Sequence, residues 1–175
     1  TGDVVACYKP QIAYYEALGL KGLRAYKRTL AYIREKGYIA IGDIKRGDIA
    51  KTAEMYAKAH FEGDFEADFI TLNPYMGLDT IEPFMPYIKN KEALPESFGF
   101  LPFSNEITGQ RLNALAKEAM GSCGYSSIGG VVGCTHIEEG LKLRQQISNM
   151  FLLIPGYGAQ GGKAKDVAMY LKNGN

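Results

Sequence analysis

Short apolar runs alternate with segments of helical periodicity along this chain. The apolar runs that predict strands are residues 4–8, 38–43, 68–72, 128–134 and 150–154. The periodic segments that predict helices are residues 11–18, 20–36, 48–62, 79–89, 109–119 and 137–147, with a last helix starting near Ala164. Apolar runs without polar alternation are typical of parallel strands covered on both faces. The pattern predicts an α/β fold, either a (β/α)8 barrel or an open doubly wound sheet.

One stretch, between Lys89 and Gly109, interrupts this alternation. It contains two prolines and no convincing β run. Two helices would therefore follow each other without an intervening strand, which is unexpected in a regular βα array.

Composition limits the classes of function. The chain has 175 residues and a net charge of +1, which indicates one domain and argues against a generic binder of nucleic acid or of anionic membranes. No apolar run approaches the ~18 residues of a membrane span, and the first residues lack the pattern of a signal peptide. Three cysteines without CxxC spacing predict packed free thiols in a reducing compartment, hence a cytoplasmic protein.

Residues that follow strands carry the candidate chemistry, because ligands of both α/β folds bind beyond the carboxyl ends of strands. In the segment 43–49, Asp43 and Lys45 are two apart in a strand, which predicts that they point into the same mouth. Asp48 follows where a helix would begin. An ammonium flanked by carboxylates stays charged and can deliver a proton to a carbanion. The alternative is a strand-end salt bridge with Asp48 as a helix N-cap.

Other strand ends are more ambiguous. Lys9 follows the first run and either joins the same mouth or is a solvated loop lysine. Asn73 ends the third run, where it lines a pocket or forms a simple turn. His136 touches a ligand or merely starts a helix, and His60, on a helix face, is a packing residue.

A glycine-rich segment, residues 155–162, follows the last apolar run. Backbone N–H groups in such a turn suit a phosphate, and Gln160 adds a side-chain donor. A plain tight turn and a dinucleotide site remain alternatives, although the dinucleotide fingerprint requires a further strand and an acidic residue downstream.

Together these segments resemble orotidine 5'-phosphate decarboxylase, in its bacterial subgroup with an Asp-x-Lys-Arg-Gly-Asp-Ile motif. The matching strings, which keep the family's order, are Tyr8-Lys9-Pro10-Gln11, Asp43-Ile-Lys-Arg-Gly-Asp-Ile49, Thr71-Leu-Asn-Pro-Tyr75 with Gly77 and Asp79, Gly124-Tyr-Ser-Ser127, Val131-Val-Gly133 and Ile154-Pro-Gly-Tyr-Gly-Ala-Gln-Gly-Gly162.

The resemblance implies a TIM barrel that acts as a homodimer and converts orotidine 5'-monophosphate to UMP without a cofactor or metal. Lys45 resembles the proton donor to C6, and Asp43 the carboxylate set against the leaving CO2. Lys9 resembles the further lysine of the charge network, and Asp48 the aspartate lent by the partner subunit.

The resemblance also implies a set of substrate-binding residues. Ile49 and Thr52 match residues that reach the partner's site, and Gln160 matches the phosphate ligand. Pro155 matches the loop residue beside the pyrimidine. Two further substrate-binding candidates from the matching strings are Gly161 and Asn73.

An eight-stranded barrel typically has about 250 residues, whereas five strands are predicted here. The first strand with its Asp, the fifth with a Thr-Ser-Asn loop and the eighth with a phosphate-binding Arg have no counterpart. We therefore expect residues 1–175 to form a single barrel domain that is incomplete at both ends and near residues 89–110.

Two other functions stay open. A related sugar-phosphate barrel enzyme uses a similar Asp-x-Lys-x-x-Asp set to bind a metal and an enediolate. A non-catalytic nucleotide-binding fragment is the other alternative.

Overall fold

The computed structural model describes residues 2–74, 76–89, 98–102, 106–134, 137–158 and 161–171. The chain divides into two compact units, Thr1–Gly99 and Phe100–Asn175. Strand β4, Phe98–Pro102, contains the point of division. No helix in the described ranges combines the length and the apolar character that crossing a membrane requires.

The first unit alternates strands and helices. Its elements are β1 (Cys7–Tyr8), α1 (Ile12–Glu16), α2 (Gly19–Glu35), β2 (Ile39–Arg46), α3 (Ala50–Phe61), β3 (Phe69–Leu72), two 3-10 turns (Leu78–Thr80 and Glu82–Phe84) and α4 (Met85–Lys89). Strand β2 pairs in parallel with β1 on one side and with β3 on the other. The register between β2 and β3 shifts after Gly42, before Arg46 pairs with Leu72.

Helix α2 shows why this unit packs. Its buried residues Gly22, Tyr26, Leu30 and Ile33 recur at helical spacing and form one stripe. Tyr26 and Leu30 are fully buried. Gly22 is required by close approach, because a Cβ there would collide with the carbonyl of Tyr15 in α1. The two helices thus dock through a residue without a side chain.

The second unit is also α/β. Its further elements are α5 (Glu106–Glu118), β5 (Ile128–Val131), α6 (Ile137–Gln146), β6 (Leu152–Leu153) and α7 (Ala164–Ala168). Strands β5 and β6 are parallel, with Gly130 opposite Leu152. Leu112, Ile128 and Ile147 are fully buried and form part of its core.

Two predicted segments differ from the structure. The predicted helix over residues 79–89 is broken into 3-10 turns and the short α4, because Pro83 and Pro86 lack the N–H that a continuous helix needs. The prediction of no strand between Lys89 and Gly109 is wrong, since β4 lies there. Gly99 and Pro102 weaken the β pattern of this Phe-Gly-Phe-Leu-Pro run. The described residues therefore contain six strands, one more than predicted.

The cysteines are unpaired, as predicted, but only one is packed. Cys134 is buried, whereas Cys7 and Cys123 are exposed. The prediction of packed thiols is wrong for these two, because Cys7 begins the two-residue strand β1 and Cys123 lies in the segment between α5 and β5.

His60 is a packing residue, as predicted. It is 2% exposed in α3, and its Nδ1 has no hydrogen-bond partner among the described atoms. Burial, with a smaller contribution from the positive charge of Arg46, lowers the pKa of His60 to about 4. The imidazole is therefore neutral in the folded protein at neutral pH.

The titration of His60 predicts a loss of stability in mild acid. The unfolded imidazole binds a proton below pH 6.5, whereas the folded one does so only near pH 4, so stability falls as the pH drops through this window. The contribution amounts to about 2 kcal/mol between pH 7 and pH 5. Urea denaturation at both pH values should show that His60→Leu loses less stability over this interval than the wild type. Equal losses in the two proteins would contradict the assignment.

Candidate active site

The ends of β1 and β2 bring two lysines onto one carboxylate. Lys9 follows β1, and Asp43 and Lys45 belong to β2. The Asp43 side chain is buried, with Lys9 Nζ 2.7 Å from Oδ2 and Lys45 Nζ 2.5 Å from Oδ1. Each carboxylate oxygen therefore has its own ammonium partner. Lys9 is exposed but contacts the same carboxylate as Lys45, as the first of its two expectations requires.

Thr71 of β3 completes the coordination of Asp43. Its hydroxyl donates to Asp43 Oδ1 at 2.8 Å. The same oxygen accepts from the backbone N–H groups of Ile44 and Lys45, both at 3.0 Å. One donated and two accepted bonds use the full capacity of a hydroxyl. Thr71, 2% exposed, thus ties the end of β2 to the carboxylate.

Lys45 has an unusual backbone for a strand residue. Its φ is 48°, in the left-handed region that costs a non-glycine residue about 1–2 kcal/mol. It lies within the register shift between Gly42 and Arg46. The prediction that strand alternation points Asp43 and Lys45 the same way names the right pair for the wrong reason, because the irregular backbone brings their side chains together. The Lys45 side chain is 60% exposed, so a ligand can reach it.

The Asp43 carboxylate is ionised at neutral pH. Burial alone would raise its pKa, but hydrogen bonds from Lys45, Lys9 and Thr71 outweigh burial and hold the pKa below its usual value. Two ammoniums and one carboxylate leave a local charge of +1. This cluster attracts an anion and can stabilise negative charge that develops on it.

The next residues of the motif anchor the strand end. Arg46 forms an ion pair with Glu16 of α1, and its guanidinium lies 5.5 Å from the ring centre of Tyr56 in α3. The backbone N–H of Asn73 donates to the Arg46 carbonyl at 2.7 Å. Gly47 is required here, since a Cβ would collide with the carbonyl of Asn73. Arg46 and Gly47 therefore hold β2 against its neighbours.

Asp48 does not cap α3. The N-cap position is Ile49, and the Asp48 carboxylate accepts from the Ile49 amide at 2.8 Å. The N-cap interpretation of Asp48 is wrong because the backbone turns into the helix two residues later, at Ala50, whose φ is 46°. Ile49 is 50% exposed and Thr52 is also exposed.

The glycine-rich turn of the second unit is held by its own backbone. Gly158 donates to Gly162 at 2.9 Å, Gly161 donates to Gly158 at 2.8 Å and Gly162 donates to Gly156 at 2.9 Å. Three of the N–H groups expected to face a phosphate are therefore used within the turn. Pro155 and Gly161 are exposed.

Several candidate residues lie outside the described residues. They are Gln160 of the predicted phosphate site, His136, and Tyr75 of the string that matched the family. Asn73 is described, and it is exposed at the end of β3. Thr71 begins a string that matched the family, but the sequence assigned no role to it, because a threonine inside an apolar strand carries no distinctive signal.

The whole chain matches one family. The sequence model of the orotidine 5'-phosphate decarboxylase / HUMPS family matches residues 1–174. Curated relatives named orotidine 5'-phosphate decarboxylase include proteins of Clostridium kluyveri, 58% identical, and Clostridium acetobutylicum, 62% identical. Each match covers 100% of this chain, and 66% and 67% of the two relatives respectively. The chain belongs to the orotidine 5'-phosphate decarboxylase / HUMPS family.

Solved structures of this family share the fold. A presumed orotidine-monophosphate decarboxylase of Toxoplasma gondii superposes with a TM-score of 0.81 at 30% identity, over 95% of this chain and 66% of its own. The OMP decarboxylase of Leishmania donovani gives a TM-score of 0.71 at 31% identity, over 91% and 65%. The predicted barrel class is confirmed, and the chain spans about two thirds of the length of these relatives.

The hydroxyl of Thr71 should be essential for the stability of this family member's site. Thr71→Val keeps the shape but leaves two buried N–H groups and Asp43 without that partner, which should lower the free energy of unfolding by about 2–4 kcal/mol. Thr71→Ser retains the hydroxyl and is the matched control, with a smaller loss. Urea denaturation of both variants measures the difference. Equal losses in the two variants would show that the hydroxyl contributes no more to the free energy of unfolding than the methyl group does.

Proposed function

We propose that this protein decarboxylates orotidine 5'-monophosphate to UMP without a cofactor. The observation that carries the proposal is the buried Asp43 carboxylate with an ammonium on each oxygen, one of which, Lys45, is exposed to a ligand. Membership of the family supports the choice of reaction.

The geometry suits loss of CO2 from a carbon that becomes negative. The substrate carboxylate would lie against Asp43, whose low pKa keeps it anionic, and the two negative groups repel each other. When the bond from C6 to the carboxyl carbon breaks, its electron pair remains on C6 and CO2 departs. Lys45 then transfers a proton to C6 and becomes a neutral amine. Lys9 and Lys45 stabilise the developing charge because they are fixed before the reaction begins.

Binding of the phosphate would supply energy for the chemical step, far from the reacting carbon. Following the family resemblance, we assign this role to Gln160, with Gly161 beside it, and place Pro155 beside the pyrimidine. Gly161 would line the phosphate rather than donate to it, because its N–H bonds to Gly158. Asn73 is the further substrate-binding candidate. Pro155, Gly161 and Asn73 are exposed, which suits ligand contact.

A metal-dependent sugar-phosphate reaction is less favoured. Both oxygens of Asp43 are engaged by ammonium groups at 2.7 and 2.5 Å. Asp43 would have to give up these partners to coordinate a cation. The two lysines instead occupy the positions at which a metal would bind this carboxylate.

We also propose a homodimer in which Asp48, Ile49 and Thr52 reach the partner's site. Ile49, just before α3, is 50% exposed, and Met55, within α3, is 57% exposed. These apolar side chains would be covered in the proposed dimer. The unpaired cysteines fit the reducing environment of the cytoplasm.

The remaining parts of the barrel would come from residues outside this sequence. The chain covers 66% of the Clostridium kluyveri relative, and that match extends over 193 residues against 175 here. We assign the first-strand Asp, the Thr-Ser-Asn loop and the phosphate-binding Arg to residues that this sequence does not contain. Some of these residues would be inserted near residues 89–110. Activity is therefore tested on the full-length protein.

Lys45→Ala should abolish turnover without unfolding the protein, because the side chain is largely exposed and only its ammonium enters the cluster. We expect kcat to fall by at least about a thousand-fold, within the range of lost acid catalysis. The change in ultraviolet absorbance of orotidine 5'-monophosphate measures the reaction. Lys51→Ala, at a lysine 86% exposed, is the matched control and should keep full activity.

Near-wild-type turnover of Lys45→Ala would refute the assignment. The same assay separates the alternatives: a requirement for added Mg2+ would favour the metal-dependent enzyme. Binding of UMP by a full-length wild type that does not turn over substrate would favour a non-catalytic nucleotide-binding protein.

The shared site of the proposed dimer predicts complementation. Lys45→Ala and Asp48→Asn are each expected to be inactive, but a mixed dimer regains one site with both residues intact. Random exchange of equal amounts should restore about a quarter of wild-type activity. Lys45→Ala mixed with the double variant Lys45→Ala/Asp48→Asn is the control and should stay inactive, since none of its dimers has a site with both residues. If exchange is demonstrated by mass spectrometry and no activity returns, Asp48 does not serve the partner.

A further inference from the structure

Gln11 lies beside the charged cluster, where the chain passes from β1 into α1. The backbone N–H of Asp43 donates to the Pro10 carbonyl at 3.0 Å, and Gln11 forms a parallel bridge with Asp43. The main chain therefore fixes Gln11 next to Asp43 independently of any side chain.

The side chain of Gln11 is not used to begin the helix. Gln11 occupies the N-cap position of α1 without a side-chain capping bond. In the amide orientation that pairs donor with acceptor, its NH2 donates to the Asp43 carbonyl and its Oε1 accepts from Lys45 Nζ at 3.2 Å. The amide thus joins the backbone of one cluster residue to the ammonium of another.

This contact restricts the direction of the Lys45 ammonium. The group has three N–H donors, of which one bonds to Asp43 Oδ1 at 2.5 Å and a second to Gln11. When two N–H groups of the Lys45 ammonium are held by hydrogen bonds, the third can point in only one direction. Without Gln11, the ammonium of a largely exposed lysine is free to rotate about its bond to Asp43.

We propose that Gln11 is a positioning residue that aims the third N–H of Lys45 at the substrate carbon. This inference rests on the proposed decarboxylase activity. A neutral amide suits the role because it orients the ammonium without adding a negative charge. A negative charge beside the ammonium of Lys45 would make its proton harder to transfer. The other charged groups of the site are Asp43, Lys9 and, in the proposed dimer, Asp48 of the partner subunit, and a change at Gln11 alters none of them.

Two variants of the full-length protein test the proposal. Gln11→Leu removes both hydrogen bonds, and we expect kcat to fall about 10- to 100-fold with KM changed less than about threefold, as for a misdirected catalytic group. Gln11→Glu places a carboxylate on Lys45 and should shift the alkaline limb of the kcat/KM profile to higher pH. Gln145→Leu and Gln145→Glu, on an exposed position of α6, are the matched controls and should change neither.

Unchanged kcat in Gln11→Leu, or a loss that only follows a fall in thermal stability, would overturn the proposal. So would an alkaline limb that Gln11→Glu leaves in place. If the wild type itself shows no decarboxylation, that result refutes the proposed function but leaves the contact between Gln11 and Lys45 to be tested separately. NMR titration of Lys45 Nζ, which needs no substrate, then decides the contact: a higher pKa in Gln11→Glu supports it, and identical values reject it.

Discussion

The local structure of the site depends on the ionised carboxylate of Asp43, buried at the end of β2. A buried carboxylate without partners is destabilising by several kcal/mol, so the surrounding chain must supply donors. Lys9, Lys45 and Thr71 provide them from three consecutive segments of the sheet. The segment after β1, the end of β2 and the end of β3 are thereby held together by one side chain. The cluster is as much a constraint on the fold as a site for chemistry.

The residues that contact this carboxylate also form the irregular end of β2. Lys45 takes a left-handed conformation, which a regular ladder would not allow. Two backbone N–H groups that lose their strand partners bond instead to the Thr71 hydroxyl. Each such bond contributes about 1 kcal/mol, enough to offset the strain at Lys45. The strain is therefore compatible with a stable fold because the Thr71 hydroxyl lies at the register shift. The left-handed conformation of Lys45 in turn places its ammonium on Asp43.

Patterns along the sequence predicted the parallel strands and helix α2, which follow from spacing. They also predicted the pairing of Asp43 with Lys45, but the irregular backbone at Lys45, and not strand alternation, brings the two side chains together. They predicted no role for Thr71 or Gln11, although both stand in strings that matched the family, because the role of each is defined only when the sheet brings it to Asp43. Strand β4 was missed because Gly99 and Pro102 suppress the β pattern. The exposure of Cys7 and Cys123 depends on which layers cover them, and spacing along the chain does not contain that information.

The arrangement joins stability to reactivity. Lys9 and Lys45 carry like charges and are held together through Asp43, so removing the carboxylate's charge would leave two cations facing each other. The same carboxylate faces the proposed position of the leaving group, where its charge disfavours the substrate more than the product. Folding therefore fixes the two cations before any ligand arrives, and the proposed reaction would require little further rearrangement of the protein. A cluster whose charges are balanced for stability would thus also favour the transition state of the proposed reaction, in which negative charge moves from a carboxylate to carbon.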